Sequence, residues 1–368
     1  MLKEIYLNNF YIENKAKMLP FAGFSMPINY ELGIIKEHLQ VRKSSGIFDV
    51  SHMGQILIDI TDKNIQSLKK YIPLNLDNLK LNKSYYTFII NENGGVIDDI
   101  MVSKIFYDND YFLYIVYNSS RRNEDEKIFK NILDKYNILY DNSLLAIQGP
   151  EAKNILSFLN LPDNFYFMES RTIDFKNNSI IVNRSGYTGE DGFEISIPNI
   201  IILEFIKLIL TNDKTRLCGL GSRDSLRLEA GLSLYGNELN ENITPIEANL
   251  TWALHKRRLE DPKLNGRKIL LKQITSGSHF KKIGLKPISK IILRKDMKLL
   301  DINKKCIGYI SSGGFSPTLN SSIAIGYIDN SLFVNERLFC FSRGKLEELI
   351  ISSLPFIKHN YKKGNKNE

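Results

Sequence analysis

Residues 85 to 117 constrain the fold more than any other stretch of this chain. Tyr85-Tyr-Thr-Phe-Ile-Ile90 is an aromatic and β-branched run, and Asn91-Glu-Asn-Gly94-Gly95 carries turn chemistry. Val96-Ile-Asp-Asp-Ile-Met-Val-Ser-Lys-Ile105 follows, then an Asp-Asn-Asp turn and Tyr111-Phe-Leu-Tyr-Ile-Val-Tyr117. Such runs, punctuated this way, predict three antiparallel strands in a meander. The pattern mixes with helical periodicity on both sides. Helices are expected over 34–45 with Gly46 as the stop, over Ile65 to Tyr71, and over 123–135. Ile47 to Val50 and Gly54 to Ile60 read as strands.

A second round predicts strands at Leu144 to Ile147, Ile180 to Asn183 and Phe193 to Ile197. Pro150 opens a helix to about Leu159, and Ile200 to Leu210 forms another. Ser222 is placed to cap a third that Gly231 stops. Beyond residue 275, short apolar runs (Ile283–Leu285, Ile307–Ile310, Ile323–Ile328, Leu338–Phe341) alternate with turns, predicting a β-rich C-terminal domain. At 368 residues the chain calls for two or three domains.

Charge narrows the partners. The net +8 favours an acidic partner or anionic substrate. Nucleic acid is disfavoured, because the basic residues are scattered and Lys256-Arg257-Arg258 lacks flanking aromatics for stacking. The tail Lys358 to Lys366 reads as a solvated terminus. No stretch reaches the roughly 20 apolar residues of a membrane helix. Met1-Leu-Lys-Glu-Ile-Tyr-Leu shows neither a signal nor a transit pattern, so a cytoplasmic protein is expected. Cys218, Cys306 and Cys340 have no metal-type spacing and are expected as reduced thiols. The five histidines show no paired spacing, so no metal is expected. No nucleophile elbow and no phosphate-binding loop occurs, which leaves the chemistry to carboxylates, Arg and Tyr.

Asp98 and Asp99 interrupt an apolar strand. Alternation groups Asp99 with Met101 and Ser103 on one face, and Asp98 with Ile100 and Val102 on the other. At least one therefore enters a packed face and needs a partner or a shifted pKa, unless both hydrogen-bond the preceding Gly-Gly turn. In Arg184-Ser-Gly-Tyr187-Thr-Gly-Glu-Asp-Gly-Phe-Glu194, three glycines allow tight turns or close approach to a ligand. Glu194 leaves the apolar face, either as an exposed strand residue or as a carboxylate able to accept two parallel N–H bonds from a guanidine-like edge. Arg223, at a helix start, either binds a carboxylate or ring, or pairs with Asp224 or Glu229.

Taken in order, Pro20-Phe-Ala-Gly-Phe-Ser-Met-Pro-Ile-Asn-Tyr30, Gly46-Ile-Phe-Asp-Val-Ser-His-Met-Gly-Gln55, Asn91 to Ile100, Leu145-Ala-Ile-Gln-Gly-Pro150 and Gly186 to Glu194 closely resemble the glycine cleavage T-protein family. Ser222-Arg-Asp-Ser-Leu-Arg-Leu-Glu-Ala-Gly-Leu232, Thr244-Pro-Ile-Glu-Ala248 and Gly314-Phe-Ser-Pro-Thr-Leu319 extend the resemblance over nearly the whole chain. The departures are Phe24 where many members have Trp, Leu264-Asn265-Gly266 in place of an aromatic-led turn, and a loosely similar N-terminus.

The resemblance implies a tetrahydrofolate-dependent aminomethyltransferase. It would take the aminomethyl group from the lipoyl arm of the acidic H-protein, release ammonia and form methylene-tetrahydrofolate. Asp99 matches the catalytic carboxylate, Glu194 the pterin anchor and Arg223 a folate-binding arginine. Tyr187, Tyr114 and Val116 match pocket-lining residues, and Tyr86, Asn118 and Met53 lie in or beside the matching blocks. Tyr361 aligns with a C-terminal tyrosine near the substrate. The implied fold is α+β, with three domains around a central channel: two ferredoxin-like α+β domains and a C-terminal jelly-roll-like β domain. The expected division is 1–48 with 138–225, 49–137 with 226–272, and 273–368, in a monomer. A folate-dependent demethylase of the same superfamily is the nearest alternative. A folate-binding protein of the iron–sulfur type is disfavoured, because no cysteine stands in the Gly186 block.

Overall fold

A computed structural model describes residues 2–331 and 337–364. The predicted meander is present as strands Ser84–Ile90, Val96–Tyr107 and Asp110–Tyr117. Gly54–Asp59 and Tyr136–Ile138 complete a five-stranded sheet in the order 84–90, 96–107, 110–117, 54–59, 136–138. The 12-residue strand Val96–Tyr107 has two different faces. Ile100 and Val102 point into a core shared with Ile65, Leu68 and Phe129 of helices Asp62–Lys69 and Arg122–Ile132. The other face carries Asp99, opposite Phe88, and Met101, opposite Tyr86 and Val116, and turns toward the rest of the molecule.

A six-stranded sheet faces it, ordered Glu169–Phe175, Asn178–Arg184, Gly192–Pro198, Asn142–Gln148, Ser45–Asp49 and Thr215–Leu217. Its core joins Ile147, Phe193, Ile195 and Phe205 to Tyr114 and Val116 of the first sheet, so one apolar cluster bridges the two. Lys3–Glu4, Lys17–Phe21 and Phe24–Asn29 form a small third sheet. The C-terminal domain is a closed six-stranded barrel, in which Phe280–Pro287 and Lys345–Ser352 pair to complete the ring. The four apolar runs read from the sequence all lie in its strands.

Several local expectations are corrected. Gly46 is not a helix stop. The helix Gly33–Lys43 has already ended, and Gly46 lies in strand Ser45–Asp49, where a Cβ would come within 2.6 Å of Val41 and 2.7 Å of Cys218. Gly219, not Ser222, is the N-cap of helix Leu220–Glu229, and Ser222 donates from the first turn to Gly219 O at 2.9 Å. Gly231 does end that helix, with φ +68. The helix after Pro150 is one short turn, Ala152–Ile155, followed by a 3₁₀ turn at Ser157–Leu159.

The C-terminal tail is anchored rather than free over its described part, although Lys358, Asn360 and Lys363 are exposed. Phe356 N and Ile357 N donate to Glu229 O, Asn360 N to Gly189 O, and Phe167 N to Lys362 O. Lys366 lies outside the described residues. Arg258 of the basic cluster is buried and bound to Asp261 and the Lys69 carbonyl.

Candidate functional site

The site is assembled where the Asp99-bearing face of the meander meets the loop before Gly192–Pro198 and the helix Leu220–Glu229. Asp99 hangs from the centre of its strand. Tyr86, from the neighbouring strand, donates its hydroxyl to Asp99 Oδ2 at 3.0 Å. Asn118, just past the third strand, donates Nδ2 to Asp99 Oδ1 at 2.8 Å and to Asp98 Oδ1 at 2.9 Å. Neither aspartate bonds the Gly-Gly turn, whose Gly95 N–H goes to Asn91 Oδ1 instead. Among the described residues no cation forms an ion pair with Asp99. Burial, and then the charge of Asp98, push its carboxyl up to about 7. A carboxylate with that proton affinity can take a proton near neutral pH.

On the opposite wall, strand alternation turns Glu194 away from the buried Phe193 and Ile195. Ser185 donates to Glu194 Oε2 at 2.8 Å, while Arg223 Nη2 stands 3.6 Å from Oε1. That distance exceeds a hydrogen bond, and Arg223 Nη1 is buried without a partner. An under-used carboxylate therefore sits beside an under-used guanidinium. Arg223 lies over the Tyr187 ring at 5.0 Å, and Tyr187 in turn donates to Ser233 O. Arg223 thus pairs with neither Asp224 nor Glu229. Arg227 takes Asp224 and Glu238, and Arg42 takes Glu229.

The glycines of the loop serve packing more than ligand approach. Gly189 adopts φ +80, and a Cβ on Gly186 would collide with the Gln148 amide at 1.9 Å.

The other anticipated residues gather unequally around these two walls. Tyr114 and Val116 share the Asp99 face, and buried Tyr114 donates to Gln55 at 2.7 Å. Met53 lies in the turn before Gly54–Asp59, partly buried against the bridging core. Tyr361 stacks on Phe167, with centroids 3.9 Å apart and planes within 2°. Burial raises its hydroxyl, with Glu190 and Glu194 adding to the effect.

Three contributors are not legible in the sequence. Lys282, in the barrel, is buried and donates Nζ to Ser233 Oγ at 2.8 Å; burial lowers it to about 8. Its neighbour Lys281 is exposed, and nothing in the pair Lys281-Lys282 distinguishes the two. His52 is buried against Phe21 and Phe24, and burial followed by the charge of Arg223 lowers it to about 3, so it is neutral. Trp252 stacks on Tyr86 at 5.7 Å.

Fold and site define an α+β protein with a barrel domain and a cluster of acidic and basic groups, Asp99, Glu194 and Arg223, gathered around Tyr187. Residues 7–258 match the GCVT N-terminal domain, and residues 281–358 match the glycine cleavage T-protein C-terminal barrel domain. The chain belongs to the glycine cleavage T-protein family.

It is similar to the mitochondrial aminomethyltransferase of Pisum sativum, at 39% identity over 98% of this chain and 91% of that protein. The aminomethyltransferase of Caldanaerobacter subterraneus subsp. tengcongensis is 38% identical, with 98% of each chain covered. The crystal structure of the glycine cleavage system aminomethyltransferase T from Bartonella henselae superimposes with a TM-score of 0.91 at 35% identity, covering 99% of this chain and 100% of that one.

Proposed function

We propose that this chain transfers the methylene of an aminomethyl group, carried on lipoylated H-protein, to tetrahydrofolate, with release of ammonia. The observation that carries the reading is the pairing of two incomplete walls. Glu194 and Arg223 stand 3.6 Å apart with a buried Arg223 N–H unspent, while Asp99 is held ready with raised proton affinity. A pterin offers parallel N–H groups for a carboxylate and a carbonyl for a guanidinium, so these residues fit its edge. Tetrahydrofolate, when bound, supplies the nucleophilic nitrogen. Asp99 accepts hydrogen bonds at that nitrogen and takes up the proton released as the C–N bond forms.

Tyr86 and Asn118 fix the carboxylate of Asp99. Tyr187, Tyr114, Val116, Met53 and Tyr361 are assigned to the pocket lining. The proposed chemistry uses no metal and no membrane; among the described residues no helix is long and apolar enough to cross one. The net charge of +8 suits docking of an acidic carrier protein by a monomer. In this reading the chain works in the compartment that holds lipoylated H-protein. The first two domains are proposed to be discontinuous, 1–48 with 138–225 and 49–137 with 226–272, before the barrel.

The test is ammonia release and methylene-tetrahydrofolate formation from aminomethyl-lipoyl H-protein and tetrahydrofolate. Turnover is expected. Folate binding without turnover of this donor would overturn the reading.

A further inference from the structure

Behind Asp99, on the helix-covered face of the same strand, Asp98 has no accessible surface. Asn118 takes both of its oxygens, with the backbone N–H on Oδ2 at 2.8 Å and Nδ2 on Oδ1 at 2.9 Å. The same Nδ2 reaches Asp99 Oδ1, so one amide spans the two aspartates. Asp125 enters from the first turn of helix Arg122–Ile132 and is also fully buried. Neither Asp125 oxygen meets an N–H or O–H donor; its hydrogen-bonding contact is with the carboxylate of Asp98.

Two carboxylate anions cannot share a dry contact, whereas an acid and a carboxylate form a strong hydrogen bond. Which one holds the proton follows from the donors. Two N–H groups stabilise the Asp98 anion and none stabilises an Asp125 anion. Burial and the charge of Asp98 both push Asp125 well above the ordinary carboxylate range. Arg121 pulls the other way, but its guanidinium bonds Glu241 at 2.7 Å and lies over Tyr235 at 5.2 Å. Glu124 adds negative charge from the same helix, and Tyr235 faces the pair as a neutral phenol. On the Asp99 side stand Tyr86, Tyr187 and Lys282.

We propose that Asp125 is a positioning residue for the reaction: it stays protonated, donates its carboxyl hydrogen to Asp98, and so keeps one negative charge behind Asp99 with the Asn118 amide fixed between the two. The single charge on Asp98 raises the proton affinity of Asp99, and the fixed amide aims its carboxylate. A second charge at Asp125 would have no compensation, and loss of the donor would leave Asp98 to take the proton itself. The protonation half of the inference stands on the buried contact alone; the effect on rate rests on the aminomethyl-transfer reading.

The experiment compares full-length wild type, Asp125→Asn and Asp125→Ala. In infrared spectra at about pH 8, the wild type is expected to show a protonated-carboxyl stretch that Asp125→Asn lacks. Asn still donates to Asp98, so the acid limb of its kcat/KM profile should stay within about 0.3 pH unit of wild type. Ala removes the donor, Asp98 becomes neutral, and the acid limb should move down by about one unit. A purely structural Asp125 would lower activity without moving the limb. The proposal falls if the wild type shows no such stretch, or if Asp125→Asn moves the limb as far as Asp125→Ala. Should Asp125→Ala not fold, the wild-type and Asp125→Asn spectra still decide. A wild type that shows the stretch but never turns over would instead count against the aminomethyl-transfer reading.

Discussion

Two buried charge clusters lie in the same molecule and behave oppositely. Around Glu229, which is fully buried, donors crowd in: His38 Nε2 at 3.0 Å, Arg42 Nη2 at 2.8 Å, Ser316 Oγ at 2.5 Å, and Thr318 through N at 3.0 Å and Oγ1 at 2.8 Å. Burial would raise this carboxyl, but His38, Ser316 and Arg42 outweigh it and hold it down to about 2. Asp98 and Asp125 are buried as deeply and Asp99 partly, yet among the described residues the N–H and O–H donors aimed at the three are the backbone N–H and side-chain amide of Asn118 and the Tyr86 phenol, and all three carboxyls are pushed up. Burial alone therefore does not decide ionisation; the number of donors aimed at the charge does.

The difference follows location. The Glu229 cluster joins helix Gly33–Lys43, helix Leu220–Glu229, the barrel loop at 316–318 and, through Arg42 and Glu190, the C-terminal Asn360. It has a structural task and is saturated. The aspartate cluster is left short of donors, which suits the proton-accepting role proposed for Asp99.

The contrast breaks most visibly at Glu229. Glu229→Ala would take from Arg42 one of its carboxylate partners and from His38, Ser316 and Thr318 their shared buried acceptor, and should cost roughly 3–5 kcal/mol in urea unfolding. A loss below about 1 kcal/mol would show the cluster to be decorative. The sign with pH is fixed by the depressed pKa. The Glu229 contribution is present above the ordinary glutamate value of 4.5 and lost as pH falls toward about 2.

At the other cluster, Asp99→Asn should leave the fold intact and reduce turnover by about 100-fold or more, about 2.7 kcal/mol of lost transition-state stabilisation. Unchanged turnover would remove Asp99 from the chemistry. The smallest effect sharpens the comparison. Asp99 has a raised folded-state pKa, so the wild type loses stability as pH rises from the ordinary aspartate value of 3.8 to about 7. Asp99→Asn lacks that loss, and its stability relative to wild type should grow across this window and level off above it. Thermal melting at about pH 5 and about pH 8 measures it, and a constant difference would contradict the raised pKa.

Much of the fold was legible because it rests on local patterns. The meander, the helices flanking it and the barrel strands follow from alternation, turn chemistry and apolar periodicity, which read a few residues at a time. The errors came where a distant residue decided a local outcome. Gly46 looks like a helix stop, but its glycine is required by Val41 and Cys218 packed against a strand. The basic tail looks solvated, but Tyr361 stacks on Phe167, nearly 200 positions earlier in the chain.

The candidate site divides in the same way. The sequence by itself determined that Asp98 and Asp99 face opposite sides of one strand and that Glu194 leaves its apolar face, and it supplied the carboxylates, Arg and Tyr on which the proposed chemistry draws. These follow from the two-residue period of a strand and from which side chains are present. Only the tertiary structure decided which charges are satisfied. It set Arg42, not Arg223, against Glu229, left Arg223 and Glu194 incomplete at 3.6 Å, brought Lys282 from the barrel to Ser233, and placed Asp125 on Asp98. A charge's state depends on every donor within a few ångströms, and folding gathers those donors from segments that sequence order keeps far apart.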